Sequence, residues 1–437
     1  MDLSRIRTNR NAVVSVHFGR EQITTNIWWE YGWYAITDTA VISILKQIKS
    51  YERVCQYVRV EELVNKLRHD YNPNSIGTPY RRDRASHSNL GRRNQTRTTT
   101  QIPAQNTTNG TLWINDLDET KLSGENLSYN DLLQINAMKE QTFGIEIEMS
   151  NISRERAARV AAEFFETNAS HEPEYGHNAW VCRDRQGRVW KFQEDGSLYG
   201  TSAEMTSPIL NYSDIETLQE LIRRLRRAGA KSSVRYNCGV HVHVGAQGHT
   251  PQTLKNLANI MYKFEPLLDK AVAVSNGRHD YCKRMSENFI RALNRATLSN
   301  ATQLTSASQA NRSEDFVKFA DIWYGGNGTS RGGHYNSSRY HITNFHSVFD
   351  HGTVEFRLFE FKEPDAERQN GLHAGEAKAF VQMCLALNQL AKTIGPIANV
   401  EQIGNNEKEL MTKWFDKLCM CGDDFATARE YYTRRLS

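Results

Sequence analysis

The 437-residue chain has no apolar run long enough to span a bilayer. Its opening, MDLSRIRTNR, is polar and charged and lacks the apolar stretch of a secretory signal. Cysteine is sparse, with seven residues scattered along the chain. An odd, thin set excludes a disulfide framework and points to a reducing, cytoplasmic compartment. Cys419 and Cys421 form a lone C-x-C with no second Cys or His pair nearby, so a zinc site is not expected there. The net charge of +4 is too small to name a class of partner. The Gly-rich segment 324–341 lacks the G-K-[ST] ending of a phosphate-binding loop, and no G-x-S-x-G elbow or Cys–His nucleophile signature stands out. There is no internal repeat.

What is present suits two or three domains. Residues 1–70 hold an aromatic cluster, IWWEYGWYAI, and then apolar residues at helical spacing (Ile42, Leu45, Ile48, Val54, Val58). We read this segment as a small helical unit with an aromatic core. Residues 71–140 are a polar, basic linker and lead-in. The arginines of the linker lack interleaved aromatics, so nucleic acid is not expected as a partner. From about residue 141 strands and helices alternate. Strands are expected at 143–149, 188–195, 239–246 and 352–361. Ser213 and Glu216 read as a capping box, and Thr250 before Pro251 as the cap and first position of a long helix. Residues 396–437 read as a helical tail.

Three strands share a pattern. Each carries a polar pair at i and i+2, hence on one face: Glu146 with Glu148, His241 with His243, Glu355 with Arg357. The other face is apolar in each case: Ile145 and Ile147, Val242 and Val244, Phe356 and Leu358. Alone, an E-x-E or H-x-H on an amphipathic strand is usually its solvent face. Three such strands side by side would instead converge carboxylates and imidazole in one cleft. Two like charges on one strand repel unless a cation lies between them. Oxygen-rich ligands suit Mg²⁺ or Mn²⁺, and Mg²⁺ commonly brings phosphates with it. Arg331, Arg339 and Arg357 are candidates to clamp them.

The segments FGIEIEMS, EDGSL…SAEMTSPIL, CGVHVHVGA, SRYHITNFHSV and GTVEFRLFEF follow one another in the order found in the putative amidoligase family. The resemblance covers roughly residues 141–392, and residues 141–395 are taken as the catalytic domain. That family resembles glutamine synthetase and glutamate–cysteine ligase. The resemblance implies an α+β fold: a curved, mainly antiparallel sheet backed by helices, with the site on its concave face and the N-terminal helical region separate. It implies an ATP- and Mg²⁺-dependent (or Mn²⁺-dependent) carboxylate–amine ligase working through an acyl phosphate. Matched by position, Glu148 and Glu204 resemble ligands of one metal, and Glu146, His241 and Glu355 ligands of the other. His243 would sit near the nucleotide phosphates, and Arg339 and Arg357 would clamp phosphate and carboxylate. Asp195 and Ser197 match a position to which no role is assigned, and Arg331 has the setting of a nucleotide contact without a match. Only one acidic match, Glu204, stands where glutamine synthetase supplies two ligands.

The partners implied are ATP, a carboxylate and an amine (small molecule, peptide or protein), without a membrane; a homo-oligomer is compatible. Alternatives are a phosphotransferase on the same fold, or a metal-dependent hydrolase opened by the H-x-H strand and completed by later histidines. Third comes a non-catalytic interaction protein using the basic linker and the aromatic N-terminus.

Overall fold

The computed structural model describes residues 110–325, 336–362 and 371–437, together with the backbone of four strands nearer the N-terminus. The chain divides into two compact units, Met1–Thr100 and Gln101–Ser437.

In the first unit, β1 (Val13–Phe18), β2 (Ile23–Trp29), β3 (Gly32–Ile36) and β4 (Pro79–Tyr80) form an antiparallel sheet in the order β1-β2-β3-β4. The aromatic segment is therefore strand, not the helical unit expected from it. Trp28 lies opposite Trp33 in the register, and Ile27 opposite Tyr34. Aromatic and β-branched residues favour a pleated, paired backbone, and that preference prevails here. The helix expected over 42–58, most of the basic linker, and Arg331 lie outside the described residues.

The second unit opens with β5 (Thr111–Ile114) and continues with β6 (Phe143–Ser150), β7 (Ala169–His171), β8 (Trp180–Arg183), β9 (Val189–Gln193), β10 (Ser202–Thr206), β11 (Val240–Gly245), β12 (Thr343–Asn344), β13 (Thr353–Phe359) and β14 (Asn399–Gln402). Strands β6 to β13 make one eight-stranded sheet in the order β12-β13-β11-β6-β10-β9-β8-β7. Every neighbouring pair in it is antiparallel. β5 and β14 pair in parallel beside it in sequence, joining the C-terminal tail to the start of the unit.

Alternation in the sequence becomes two faces of the sheet. Ile145, Ile147 and Met149 are buried on one side of β6, as are Val240, Val242 and Val244 on β11 and Val354 and Phe356 on β13. Each such side chain contributes about 1.5–3 kcal/mol on burial. Helices Arg154–Phe165 and Ala374–Thr393 back the sheet. Phe380 of the second helix stacks on Phe359 at 4.5 Å. The long helix Pro251–Val272 starts as expected, with Thr250 accepting from the Thr253 amide and Pro251 at the first position. The capping box before helix Ile215–Arg227 is made differently: Asn211 and Asp214 form it one turn earlier, not Ser213 and Glu216. A 3₁₀ turn at Tyr212–Asp214 moves the start of the ordered chain upstream. Among the described residues no helix is long and apolar enough to cross a membrane. Cys419 and Cys421 are buried free thiols, and burial raises the Cys419 thiol to about 12.

Candidate active site

β13, β11, β6 and β10 are consecutive in the sheet, so their polar residues share one face. The register sets Glu204 opposite Glu148, His241 opposite Glu146, and His243 opposite Glu355. Two groups of ligand atoms result. Glu146, His243 and Glu355 form one, and Glu148, Asp195 and Glu204 the other, with the atoms of each group within 4.8 Å of one another. β6 thus gives one carboxylate to each group, which accounts for its E-x-E. A strand period of two sends both side chains to the same face, about two residue rises apart.

In the first group, Glu146 Oε2 lies 3.0 Å from His241 Nδ1, and Glu146 Oε1 lies 3.5 Å from His243 Nε2. Glu355 Oε1 lies 3.8 Å from His243 Nε2 and pairs with Arg357. Asn344 on β12 donates to the other oxygen of Glu355 at 2.6 Å. Thr353 Oγ1 is 3.0 Å from His243 Nδ1. In the second group, Gln193 donates to Glu204 at 2.6 Å, and the Gly239 amide to Glu148 at 2.6 Å. Asp195 accepts from the Ser197 amide at 2.7 Å, and Ser197 Oγ bonds the same oxygen. Ser197 therefore fixes the turn that presents Asp195.

Charge in the cleft is unevenly balanced. Burial opposes ionisation of Glu355, yet Arg357 and the two imidazoles outweigh it and hold the carboxyl at about 2. Burial likewise opposes ionisation of Glu146, while its hydrogen bond with His241 and the adjacent His243 imidazole hold it well below the usual range. Glu204 goes the other way: burial, then the charges of Glu146 and Glu148, push it well above. Burial and nearby Arg357 lower His241, whereas Glu355 and Glu146 overcome burial to raise His243.

The expected residues fall as follows. Glu146, Glu148, Glu204, Glu355, His241, His243 and Arg357 all reach the cleft. Asp195, matched by position without a role, lies with Glu148 and Glu204 as a second acidic residue beside Glu204. His243 is grouped with Glu146 and Glu355, and His241, to which the resemblance pointed, also lies beside both, its Nδ1 3.0 Å from Glu146 and 3.8 Å from Glu355. Both nitrogens of His241 are engaged, one with Glu146 and one with Arg278 at 3.4 Å. His243 Nε2 is buried without a hydrogen bond. Arg339 ends a 3₁₀ turn, and its guanidinium carbon lies 5.9 Å from the Tyr340 ring, which Arg357 approaches at 6.0 Å. Sequence reasoning passed over Gln193, Asn344 and Arg278. Gln193 carried a signal, because it stands two residues before Asp195 on an alternating strand. Asn344 and Arg278 come from short or irregular segments with no period to read.

A cation fits these residues on the chemistry of the donors. Five carboxylates and one imidazole are hard, oxygen-rich ligands of the kind Mg²⁺ and Mn²⁺ take. The unbonded His243 nitrogen faces two carboxylate oxygens, and burial together with the charges of Glu146 and Glu148 raises Glu204, which a cation beside it would relieve.

The family model described as putative amidoligase enzyme matches residues 139–388, more than half of the chain. The chain belongs to this family. All the residues of the two ligand groups lie within the amidoligase segment, as do Arg278, Arg339 and Arg357. Among curated proteins, none matches significantly.

Proposed function

We propose that this amidoligase is an ATP- and Mg²⁺-dependent carboxylate–amine ligase with a glutamine-synthetase-like site. The observation that carries the reading is the pair of carboxylate-rich groups sharing β6, with the buried Arg357 beside one of them. Glu148, Asp195 and Glu204 would hold one divalent ion, and Glu146, His243 and Glu355 the other. Bound there, the ions supply positive charge where phosphoryl oxygens gather.

The chain's own groups then have distinct tasks. Arg357 presents a fixed guanidinium, held by Glu355, to a carboxylate or phosphoryl oxygen. Arg339, near the same tyrosine ring, serves the phosphate side. Asn344 and Gln193 orient Glu355 and Glu204, each by a hydrogen bond to one carboxylate oxygen. In the overall reaction a substrate carboxylate oxygen takes the γ-phosphoryl group, releasing ADP. The amine nitrogen then forms a bond to the carbonyl carbon as phosphate leaves, and the amine gives up a proton to solvent.

The test is incubation with Mg²⁺, ATP and pooled carboxylates and amines, read by mass spectrometry. The expected product weighs one water less than the sum of an acid and an amine, with one ADP and one phosphate formed per product. ADP with a phosphorylated product and no condensation would support a phosphotransferase on the same site. No ATP consumption in any pool would end the reading.

A further inference from the structure

Arg278 enters the cleft from outside the sheet, in the turn Asn276–Arg278 that follows the long helix. Its guanidinium lies over Gly239, at the foot of β11. A Cβ at Gly239 would fall well inside van der Waals contact with three guanidinium atoms. No positive φ calls for glycine there, so the missing side chain is explained by the space it leaves for Arg278.

From that seat Arg278 bridges two strands where their pairing is irregular. Val240 pairs with Phe359 and Val242 with Phe356, so Arg357 and Leu358 together oppose His241. Extra residues of this kind bend a strand and re-aim its side chains, and they recur beside active sites. At this point Arg278 donates to the Arg357 carbonyl at 2.8 Å and approaches His241 Nε2 at 3.4 Å. A guanidinium can only donate, so His241 Nε2 must offer its lone pair and Nδ1 must carry the proton toward Glu146. One side chain therefore fixes the Arg357 backbone, the tautomer of His241 and, through it, the orientation of Glu146.

We propose that Arg278, seated in the notch at Gly239, is a positioning residue for the Glu146/His243/Glu355 group and for Arg357. The proposal rests on the metal-dependent reading above. It does not extend to the Glu148/Asp195/Glu204 group, whose orienting contacts come from Gln193, Ser197 and the Gly239 amide.

The test uses the full chain with Arg278→Ala, Gly239→Ala and the double variant, and Mn²⁺ as the probe, its free concentration followed by electron paramagnetic resonance. Glu355→Gln and Glu204→Gln mark which class of Mn²⁺ belongs to which group. Both single variants should keep a cooperative melt. Each should weaken the class marked by Glu355→Gln about 10–100-fold, the range for loss of a partner that orients a ligand, and Arg278→Ala, which touches nothing in the other group, should leave the other class within about twofold. The double variant should match Arg278→Ala alone, because the added methyl then has nothing to displace. Without metal, the imidazole ¹⁵N shifts of His241 should report a fixed Nδ1–H form in the parent and a mixture in Arg278→Ala. Equal weakening of both classes by Arg278→Ala, additive losses in the double variant, or unchanged His241 shifts would each overturn the assignment. If the parent takes up no Mn²⁺, the metal reading falls, and the ¹⁵N shifts with the melts of the three variants still decide the role of Arg278.

Discussion

Replacing Arg357 tests both the electrostatics of the cleft and the chemistry assigned to it. Arg357 is 6% exposed and Glu355 4%, so neither charge is screened by water. Glu355 titrates at about 2 against an ordinary 4.5, with Arg357 the largest favourable influence. At about 1.4 kcal/mol per unit, that shift corresponds to roughly 3 kcal/mol of native-state stability. Removing one partner of a buried pair typically costs about 3–5 kcal/mol, which agrees. Arg357→Ala should therefore lower the melting temperature at neutral pH by roughly 4–7 °C for a unit of this size. The sign of the pH dependence follows from the depressed value. The contribution is fully present above the unfolded value near 4.5 and is lost as pH falls toward 2. The gap between parent and Arg357→Ala should close across that window, as seen by calorimetry at a series of pH values. Arg357→Lys keeps the charge but not the planar fork, so most of the stability should survive while turnover drops about 10²–10³-fold. A neutral-pH melt of Arg357→Ala matching the parent would refute the buried-pair argument. Parent-like turnover in Arg357→Lys would refute the role given to the fork.

Three further outcomes are expected. Glu204 is held protonated above its ordinary range and must ionise to bind a cation, so Mn²⁺ affinity should rise with pH. Glu204→Gln should weaken Mn²⁺ binding and flatten that rise, as isothermal titration would show. Asp195→Asn should lower the affinity of the same class about 10-fold or more while leaving the Glu355 class unchanged, and equal affinities would remove Asp195 from the ligand set. Glu265, buried beside the Met285 amide and Thr343, is pushed up to about 8 by burial. The folded state then holds a proton that the unfolded state releases, so stability falls as pH rises from about 4.5 to about 8. Glu265→Gln should cancel that slope and become more stable than the parent by a few kcal/mol above pH 8, which urea unfolding at pH 6 and 9 would check.

The sequence by itself determined the strands that carry the site and the faces their residues take. A period of two leaves little freedom: once Ile145 and Ile147 are buried, Glu146 and Glu148 must share the opposite side. Helix starts with a strong local signal were equally legible, as at Thr250 and Pro251, because capping is decided within one turn. The expectation fails at the aromatic N-terminal segment, which is grouped with the helically spaced residues after it yet pairs as strands. Only the tertiary structure brings the candidate ligands into two groups. Asp195 joins Glu148 and Glu204 because the turn after β9 returns it to β10's neighbourhood, a closure that no spacing encodes. The different surroundings of His241 and His243 depend on the order β13-β11-β6 and on Arg278, which arrives from another part of the chain to engage one imidazole while the other's nitrogen stays unbonded. Periodicity fixes the face of a side chain, but contacts between residues far apart in sequence fix its partner.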